Sequence, residues 1–510
     1  MTRLVNNYKH KMLVNLTFYY GKILTCAIIL MFLGSDKMQK PNMIEAQKRG
    51  HLKTKVLTND YNIPSDMQSY GVNKKYYIET YGCQMNVHDS EAVKAILEDM
   101  SFTNTKDLSA ADLIIINTCA IRENAHNKVF GKLGQLKNLK KNNPNIMIGL
   151  CGCMAQEEVV IDLLFKKYQW LDFVFGTHNI YKLPFILKEA ITKGELVVEV
   201  WSKEGNIIEN IPFKRDSNYK AWVNIMYGCD NFCTYCIVPY VRGRQRSRRP
   251  NYIMDEVQEL IKAGYKEITL LGQNVNSYGR DFIDQNYDFA DLLTDISKTD
   301  IDRIRFVTSN PWDFTDKMIE VIKNNKNIMP YIHLPIQSGS NKILKLMGRR
   351  YTKEDYIELF NKIKSNIKNV SISTDIIVGF PGETEEDFQE TLALVNELKF
   401  DFAFTFVYSP REGTAAIKLK DNVSEDEKKE RLYQLNKLIN KYALANNQKY
   451  LLQTVKVLIE KQDVKTGLLT GYTETNKLTY CKGDLSDIGK IVLVQINKVK
   501  TWSLYGERNF

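Results

Sequence analysis

Six short apolar runs, separated by helical patterns, occupy the middle of the chain and restrict its fold more than any other feature. They predict strands at residues 221–226, 267–272, 303–309, 331–334, 370–378 and 402–408. Strands that alternate with helices pair in parallel, because each crossover needs a helix to return the chain. Six units are too few for a closed eight-stranded barrel, so residues 219–446 are predicted to form a partial (β/α)6 barrel. A doubly wound sheet is the alternative.

A second α/β pattern precedes this domain. Apolar runs at 76–80, 112–117 and 146–150 predict buried parallel strands, with helical patterns at 90–100 and 122–141 between them. These elements predict an N-terminal parallel-sheet α/β domain over residues 75–195. The polar stretch at 196–218 is interpreted as a linker.

The pattern changes again near the end of the chain. A capping box formed by Ser424 and Glu427 predicts the start of a long amphipathic helix. Beyond that helix the sequence predicts only short strands, at 455–459, 468–473, 478–480, 491–496 and 503–506. Residues 447–510 are therefore predicted to form a small antiparallel β-barrel.

Residues 1–74 are predicted to be an N-terminal extension outside the folded protein, disordered or preceding a true start at Met38 or Met43. Their strongest feature is the apolar run at 23–33, which is shorter than the roughly 20 residues that a membrane-spanning helix needs. With the basic residues before it, the run also resembles a signal peptide. Export would carry clustered cysteines into an oxidising space, so we expect a cytoplasmic protein without membrane association.

Three cysteines, Cys229, Cys233 and Cys236, follow the first strand of the predicted barrel as a C-x3-C-x2-C run. The nine cysteines of the chain are too sparse for a disulfide scaffold, and its six scattered histidines disfavour zinc–histidine chemistry. A structural zinc site takes four ligands, whereas three thiolates on a four-iron cluster leave one iron open. An open iron can bind the amino and carboxylate groups of S-adenosylmethionine. A zinc knuckle whose fourth ligand lies elsewhere is the alternative.

A second group of cysteines is dispersed along the first domain. Cys83, Cys119 and Cys153 each follow one of the three predicted strands. Because parallel strands end at one edge of a sheet, these thiols are predicted to meet there and to hold a second iron–sulfur cluster. Three buried structural cysteines are the alternative, and Cys151 competes with Cys153 as the third ligand.

These motifs resemble the methylthiotransferases, a family of radical S-adenosylmethionine enzymes, and within it the branch that acts on N6-dimethylallyladenosine in tRNA. The resemblance extends from about Lys75 to the end of the chain. It rests on the residues at 81–86, 117–122, 152–155, 228–236, 333–340 and 408–414. Sister branches modify threonylcarbamoyladenosine in tRNA or an aspartate of a ribosomal protein, and both remain alternatives, as does a non-catalytic RNA-binding module with structural metal.

The resemblance implies a transferase that converts N6-dimethylallyladenosine to its 2-methylthio derivative at position 37 of tRNA. It implies two [4Fe–4S] clusters and S-adenosylmethionine as both methyl donor and radical source, with no catalytic residues beyond the cluster ligands. An external electron donor such as a flavodoxin or ferredoxin, a monomeric state and a C-terminal TRAM barrel that grips the anticodon stem–loop follow from it as well. An aromatic C–H bond offers no acidic proton, so acid–base side chains alone would not achieve this reaction.

The resemblance also suggests contacts to S-adenosylmethionine from Tyr235, Gln273, Asn274, Thr374 and Asp375. A threonine or asparagine at a strand end is more commonly a turn former, and Tyr235 is equally suited to packing under its loop. Three phenylalanines, Phe402, Phe404 and Phe406, alternate along the last predicted strand and are interpreted as barrel core.

Basic residues near the cysteine run predict an RNA partner. The net charge of +10 permits a polyanionic ligand without requiring one. We expect phosphate contacts from the side chains of Arg242, Arg244, Arg246, Arg248, Arg249, Lys498 and Lys500, and note Trp502 beside the last two. A solvated basic loop is the alternative for the five arginines.

Overall fold

The computed structural model describes residues 61–120, 123–200, 207–209 and 211–508, with the side chains of 123–126 excepted. The apolar run at 23–33 and the two candidate start methionines lie outside these residues. Within the described residues, every helix is too short or too polar to cross a membrane. They form three domains in chain order, as the sequence predicts.

The first domain is a six-stranded parallel sheet with the strand order β2-β1-β3-β4-β5-β6. Its strands are β1 (Lys75–Tyr81), β2 (Thr103–Asn104), β3 (Leu113–Thr118), β4 (Met147–Gly152), β5 (Phe173–Phe175) and β6 (Val197–Glu199). Its helices are α1 (Gln84–Asp99), α2 (Glu123–Asn142), α3 (Glu158–Lys167) and α4 (Leu183–Lys193). The three predicted strands are β1, β3 and β4, which lie side by side. The first domain was predicted to end at residue 195, but it extends further, because β6 (Val197–Glu199) is the last strand of its sheet.

The prediction that folding begins at Lys75 is wrong for residues 61–74. Met67 is buried, and Tyr61, Ile63 and Tyr70 pack against the core of the first domain. The backbone N–H of Gly71 donates to the carbonyl of Met100 at 2.8 Å. The sequence did not reveal this packing, because the apolar residues of this stretch follow no helical or strand periodicity and are buried only by contact with the first domain.

The described part of the predicted linker is also more than a connection. Ile207 and Ile208 are buried. Arg215 forms ion pairs with Glu91 of the first domain at 3.1 Å and with Glu256 of the second at 2.5 Å. The segment therefore packs between the two domains, and a carboxylate from each domain neutralises the charge of Arg215. Residues 201–206 and 210 lie outside the described residues.

The central domain holds six parallel strands in two three-stranded sheets, β7-β10-β11 and β12-β13-β14. These are β7 (Lys220–Asn224), β10 (Glu267–Leu271), β11 (Arg303–Phe306), β12 (Tyr331–His333), β13 (Ser371–Val378) and β14 (Phe402–Val407), and a short hairpin of β8 (Met226–Tyr227) and β9 (Arg246–Ser247) follows β7. A bridge between Ile304 and Ile328 joins the two sheets. Because the strands follow one another in chain order, the partial barrel is confirmed and the doubly wound alternative is wrong.

Eight α-helices of the described residues belong to this domain, and all but α5 pack on the outer face of the barrel. They are α5 (Val238–Val241), α6 (Pro250–Lys262), α7 (Phe289–Ser297), α8 (Asp316–Asn324), α9 (Asn341–Leu346), α10 (Lys353–Asn366), α11 (Glu385–Leu398) and α12 (Glu425–Gln448). The predicted capping box is present at the start of α12, where Ser424 and Glu427 exchange side-chain and backbone hydrogen bonds. The six parallel strands and the inner faces of α6 to α12 share one apolar core, whereas α5 packs against the first domain.

The C-terminal domain is a closed five-stranded barrel with the order β15-β16-β17-β19-β18. Its strands are β15 (Thr454–Gln462), β16 (Leu469–Thr473), β17 (Leu478–Lys482), β18 (Ile491–Val499) and β19 (Leu504–Arg508). The barrel was predicted to be antiparallel, but β17 and β19 pair in parallel. The strand between them in the chain, β18, pairs antiparallel with β19 and with β15 and so closes the barrel.

Buried arginines fix this barrel to the central domain. Arg303 donates to the carbonyls of Tyr472 and Lys456 at 3.0 and 3.1 Å. Arg305 donates to the carbonyl of Thr473 at 2.7 Å and pairs with Glu267 at the same distance. Because the acceptors are backbone carbonyls of the C-terminal barrel, these hydrogen bonds fix the position of that barrel relative to β11 of the central domain.

Candidate metal centres and cofactor site

The loop that carries Cys229, Cys233 and Cys236 lies between β8 and α5. Gly228 enters it with a φ of +72°, and a Cβ there would lie 2.0 Å from the carbonyl oxygen of Arg244. Only glycine fits this close crossing of two backbone segments. The N–H of Cys229 donates to the carbonyl of Gly243 at 3.1 Å, which holds the first thiol beside the crossing.

The rest of the loop is fixed by the chain that follows α9. The N–H of Thr234 donates to the carbonyl of Met347 at 3.0 Å, and its hydroxyl donates to the carbonyl of Leu346 at 2.8 Å. The N–H of Cys236 donates to the carbonyl of Cys233 at 2.9 Å, closing a tight turn. All three thiols therefore project from one anchored loop.

Arg349 adds a positive charge to this group. Its Nη1 lies 3.3 Å from Sγ of Cys233, and its guanidinium packs against the rings of Trp312 and Tyr351 at 5.0 and 5.2 Å. Burial raises the pKa of the Cys236 thiol to about 12 and that of Cys229 well above its usual value. Buried thiols of this kind become thiolates when a metal binds them, because the cation replaces the lost hydration.

The dispersed cysteines converge as predicted. Cys83 precedes α1 as its N-cap residue, Cys119 directly follows β3, and Cys153 begins a short helical turn after β4. Cys83 and Cys119 share a hydrogen bond. The Sγ atoms of Cys83 and Cys153 lie 3.4 and 4.0 Å from the same amide oxygen of Asn86. Three residues separated by long stretches of chain thus meet at one edge of the sheet.

An amide network positions these strand ends. Asn86 donates to the side chain of Asn117 at 3.0 Å and to the carbonyl of Thr118 at 2.9 Å. Gly152, with a φ of +97°, lets β4 approach the same residues, since a Cβ would lie 2.3 Å from the Asn117 amide oxygen. The turn that presents Cys153 therefore depends on this glycine.

Charge and burial differ among these thiols. The hydrogen bond with Cys119 lowers the pKa of Cys83 to about 6 despite burial, with help from the nearby Arg242 guanidinium. Burial raises the pKa of Cys153 to about 11, although Arg242 opposes the shift. Cys83 is therefore more readily a thiolate than Cys153.

Cys151 is placed differently from Cys153. It lies within β4 and packs in the apolar core with Phe173 and Phe175. Its carbonyl accepts a hydrogen bond from Thr118 at 2.7 Å. Cys153 instead contacts Asn86 and Arg242, on the side where Cys83 and Cys119 lie.

Arg242 connects the two domains at this point, and its predicted contact with RNA phosphate is wrong. Its Nε lies 3.0 Å from Sγ of Cys153, and its Nη2 pairs with Asp89 at 2.6 Å. Both charged side chains are buried. The guanidinium is held inside the interface because Asp89, far away in the sequence, compensates its charge.

Three more of the predicted phosphate contacts are wrong for the same reason. Arg244, Arg246 and Arg248 are buried. Arg248 pairs with Glu209 and Glu256, both at 2.7 Å, and Arg246 donates to the carbonyl of Arg242 at 3.1 Å. Arg249 alone is partly exposed, and it pairs with Asp284. The block of basic residues is an internal network of ion pairs and hydrogen bonds.

One turn of helix separates the two groups of cysteines. Cys153 and Ala120 of the first domain pack against Ile237, Tyr240 and Val241, which directly follow Cys236. In the described part of the chain no three His, Cys, Asp or Glu side chains are arranged to share a single metal ion. Each group offers three thiols, the donor set of a four-iron cluster whose irons each take a separate ligand.

Unpaired polar atoms mark a third site at the carboxyl ends of β10 and β11. The side-chain oxygens of Gln273, Asn274, Ser309 and Asn310 are buried and make no hydrogen bond within the protein. Buried polar atoms without partners are costly, so such a cluster indicates a polar ligand. These oxygens accept hydrogen bonds, and the ammonium and ribose hydroxyl groups of S-adenosylmethionine can donate them. Only Gln273 and Asn274 had been predicted. The family resemblance singled them out, whereas Ser309 and Asn310 could have been found because they too are polar residues that follow a strand.

The other predicted cofactor contacts, from Thr374, Asp375 and Tyr235, have partners within the protein. Thr374 is buried, and its hydroxyl accepts a hydrogen bond from the N–H of Ile336 at 2.9 Å. Asp375 is partly exposed and lies 3.5 Å from Nε2 of His333. Tyr235 packs edge to face on Phe380 at 6.5 Å. Asp375 therefore faces the open interior of the barrel, whereas the Thr374 hydroxyl serves the fold.

The interpretation of Phe402, Phe404 and Phe406 as core is wrong. Phe404 and Phe406 are 46% and 44% exposed, and Phe402 is partly exposed. Alternate residues of the strand are covered instead, since Ala403 is buried and Thr405 donates to Asn436 of α12 at 2.7 Å. The phenylalanines line the inner face of a barrel that does not close, so no further strand covers them.

The structure leaves the C-terminal basic residues accessible. Lys498 and Lys500 are exposed, and Lys500 lies 5.0 Å from the ring of Tyr505. Trp502 is 46% exposed. The prediction that the two lysines contact RNA stays a prediction.

Sequence reasoning missed Asn86 and Arg349 as contacts of the thiols, and it assigned Arg242 to RNA phosphate instead. Asn86, Arg242 and Arg349 each lie within 4.0 Å of a cysteine sulfur. Asn86 carries the only local signal, because it stands three residues after Cys83 at the start of a helix. Arg349 carries no such signal, as its contact depends on how the chain after α9 returns to the cysteine loop.

Three family models match the chain. They are described as Uncharacterized protein family UPF0004 at residues 75–176, Radical SAM superfamily at 223–395 and TRAM domain at 448–508. The chain is 56% identical over 470 residues to a tRNA-2-methylthio-N(6)-dimethylallyladenosine synthase of Staphylococcus haemolyticus, covering 92% of this chain and 91% of that protein. Proteins with the same name in Oceanobacillus iheyensis and Staphylococcus aureus are each 55% identical, covering 92% of this chain and 90% and 91% of theirs.

Among solved structures, the chain resembles a radical S-adenosylmethionine methyltransferase from Kitasatospora setae with cobalamin and a [4Fe–4S] cluster bound. The TM-score is 0.48 at 12% sequence identity, covering 68% of this chain and 77% of that chain. This similarity is too distant to bear on activity.

Proposed function

The chain belongs to the family of tRNA-2-methylthio-N6-dimethylallyladenosine synthases, and from this premise we propose that its two groups of cysteines hold two separate [4Fe–4S] clusters. It is a radical S-adenosylmethionine transferase that adds a methylthio group to N6-dimethylallyladenosine in tRNA. One cluster is bound by Cys229, Cys233 and Cys236. The other is bound by Cys83, Cys119 and Cys153.

The observation that carries the proposal is the convergence of three dispersed thiols opposite the cysteine loop. Cys153 packs against Ile237, Tyr240 and Val241, which directly follow the last ligand of that loop. Two clusters placed on either side of this helical turn would face one reaction space. That arrangement suits a reaction in which one centre generates a radical and the other supplies sulfur.

A cluster bound by Cys229, Cys233 and Cys236 would supply the electron for reductive cleavage of S-adenosylmethionine, the radical chemistry needed to activate C2 of the adenine. Gln273, Asn274, Ser309 and Asn310 bind the polar groups of the cofactor with the oxygens that lack partners inside the protein. Asp375 lies on the inner face of β13, where it borders the space for the substrate base. Arg349 and Arg242 each place a hydrogen-bond donor on one cluster ligand, which stabilises the thiolate form.

The tRNA reaches this space from the side of the TRAM barrel. Lys498 and Lys500 are exposed there and bind phosphates of the anticodon stem–loop, while position 37 turns out of its stack toward the clusters. Electrons come from an external donor such as a flavodoxin or ferredoxin. The enzyme acts as a monomer in the cytoplasm.

Mass spectrometry of tRNA nucleosides tests the function. The gene is introduced into a host that lacks its own methylthiotransferase, and 2-methylthio-N6-dimethylallyladenosine should appear while its precursor falls. A soluble, iron-loaded protein that leaves the precursor unchanged would contradict the assignment. Iron and acid-labile sulfide analysis tests the cluster number, with about eight irons expected for two [4Fe–4S] clusters.

A further inference from the structure

A row of aromatic side chains runs along the inner face of β14 and continues onto the C-terminal barrel. We call Trp502, Phe402, Phe404 and Phe406 the aromatic row. The ring centroids of Trp502 and Phe402 lie 5.1 Å apart, and those of Phe402 and Phe404 lie 4.6 Å apart. Phe406 follows two residues later on the same face of the strand. The row therefore joins the two domains along one surface.

This surface is exposed although it is apolar. Trp502 and Phe404 are each 46% exposed, and Phe406 is 44% exposed. The opposite face of β14 is well packed, with Ala403 buried and Val407 against the barrel core. Contiguous exposed aromatic side chains on a strand indicate a binding surface, because a ligand that covers them removes their apolar surface from water, which favours binding.

The row ends beside the reaction space. Phe404 pairs across the sheet with Asp375, and Phe406 pairs with Ile377. Ile377 packs against the apolar cluster that also contacts Tyr235 of the cysteine loop. The Phe406 end thus adjoins the proposed radical centre, while the Trp502 end adjoins the exposed Lys498 and Lys500.

The ring geometry favours an aliphatic ligand over a series of stacked bases. Phe402 and Phe404 are inclined at 73°, and Phe404 and His333 at 82°. Stacking of successive bases needs rings that present parallel faces. Inclined rings instead present apolar edges and faces in different directions, which suits contact with a short branched hydrocarbon.

We propose that Phe404 and Phe406 bind the dimethylallyl group of the target adenosine and select it over adenosine that lacks the group. The inference rests on the proposed function, which places N6-dimethylallyladenosine in this space. The dimethylallyl group is uncharged and apolar, so burying it between the two rings releases water from both surfaces. A substituent ending in a carboxylate, such as threonylcarbamoyl, would meet apolar rings and the like charge of Asp375, and so would be rejected.

The test compares two synthetic anticodon stem–loop RNAs that differ only in the dimethylallyl group. Binding of each RNA to the anaerobic, iron-loaded enzyme gives a ratio of Kd values for wild type, Phe404→Ala and Phe406→Ala. We expect each substitution to reduce the preference for the prenylated RNA by roughly tenfold, with the affinity for the unmodified RNA retained. Phe404→Leu should recover most of the preference, since leucine restores apolar contact.

Phe185→Ala is the matched control, because Phe185 is a 47% exposed phenylalanine on α4 of the first domain. It should leave both affinities unchanged. Iron content and circular dichroism establish that each variant is folded and loaded. An unchanged preference in the Phe404→Ala/Phe406→Ala double variant overturns the inference. So does an equal loss of affinity for both RNAs, which would make the row a general RNA contact.

Failure of this inference is separable from failure of the proposed function. Wild-type enzyme is assayed in parallel for 2-methylthio product on the prenylated RNA. Product formation together with an unaltered preference in the double variant rejects the role of the aromatic row alone. Absence of product with a loaded enzyme rejects the function from which the inference starts.

Discussion

The two groups of cysteines reach similar arrangements by different routes. Cys229, Cys233 and Cys236 are brought together by one tight loop, so their spacing along the chain already places them. Cys83, Cys119 and Cys153 are brought together only because β1, β3 and β4 are neighbours in one parallel sheet. We call the first three cysteines the loop group and the second three the dispersed group. The loop group depends on a few backbone hydrogen bonds, whereas the dispersed group depends on the whole sheet.

The two groups also differ in where their supporting charge originates. Arg349, which contacts Cys233, belongs to the same domain as the cysteine loop. Arg242, which contacts Cys153, crosses from the central domain into the first domain, where Asp89 pairs with it. The dispersed group therefore has its supporting positive charge only when the two domains are docked.

The largest expected effect is loss of the loop group. Cys233→Ala removes one of three ligands, and we expect reductive cleavage of S-adenosylmethionine to stop, because two thiolates do not hold the open-iron cluster. Chromatographic measurement of 5′-deoxyadenosine checks this outcome. Cys481→Ala, which alters a buried thiol of the C-terminal barrel, is the control and should retain cleavage. Full 5′-deoxyadenosine formation by Cys233→Ala would remove the loop from the radical step.

The dispersed group should separate from the loop group in function. Cys153→Ala is expected to leave 5′-deoxyadenosine formation intact and to stop formation of the 2-methylthio nucleoside. Cys151→Ala should stop neither reaction, since its side chain packs in the apolar core with Phe173 and Phe175. Nucleoside mass spectrometry measures the product. The reverse pattern would make Cys151 the ligand.

The interface that completes the dispersed group should be costly to break. Asp89→Ala leaves the Arg242 guanidinium buried without its carboxylate, and the free energy of unfolding should fall by about 3–5 kcal/mol. Asp284→Ala removes the exposed partner of Arg249 and should leave the free energy of unfolding nearly unchanged, because water screens a surface ion pair. Denaturant unfolding of both variants measures the difference. Equal, small effects would mean that the buried pair does not stabilise the interface.

The smallest expected effects are matched shifts of reduction potential. Arg242→Lys and Arg349→Lys keep the positive charge but lose the planar donor on one cysteine sulfur. Hydrogen bonds to cluster sulfurs tune the potential, so each variant should shift its own cluster by on the order of tens of millivolts and leave the other unchanged. Electron paramagnetic resonance during a redox titration distinguishes the two signals. A shift of both clusters by either variant would show that the groups are coupled.

The comparison also explains how far the sequence predicted the site. The loop group and the strand ends were predicted because periodicity and turn residues report local structure. Arg242 and Arg248 were mispredicted, since two of their counter-charges, Asp89 and Glu209, come from distant segments. The alternation of Phe402, Phe404 and Phe406 correctly placed them on one face but did not reveal that this face is uncovered.

By itself the sequence determined three domains, the order of their strands and helices, and which cysteines follow which strands. These are properties of short segments, set by side-chain periodicity and by the geometry of turns. Only the tertiary structure decided that Arg242 is buried and donates a hydrogen bond to Cys153, that Cys151 packs away from the other thiols, and that the aromatic row stays exposed. Each of these depends on which surface another segment covers, and burial is a property of the packed chain as a whole.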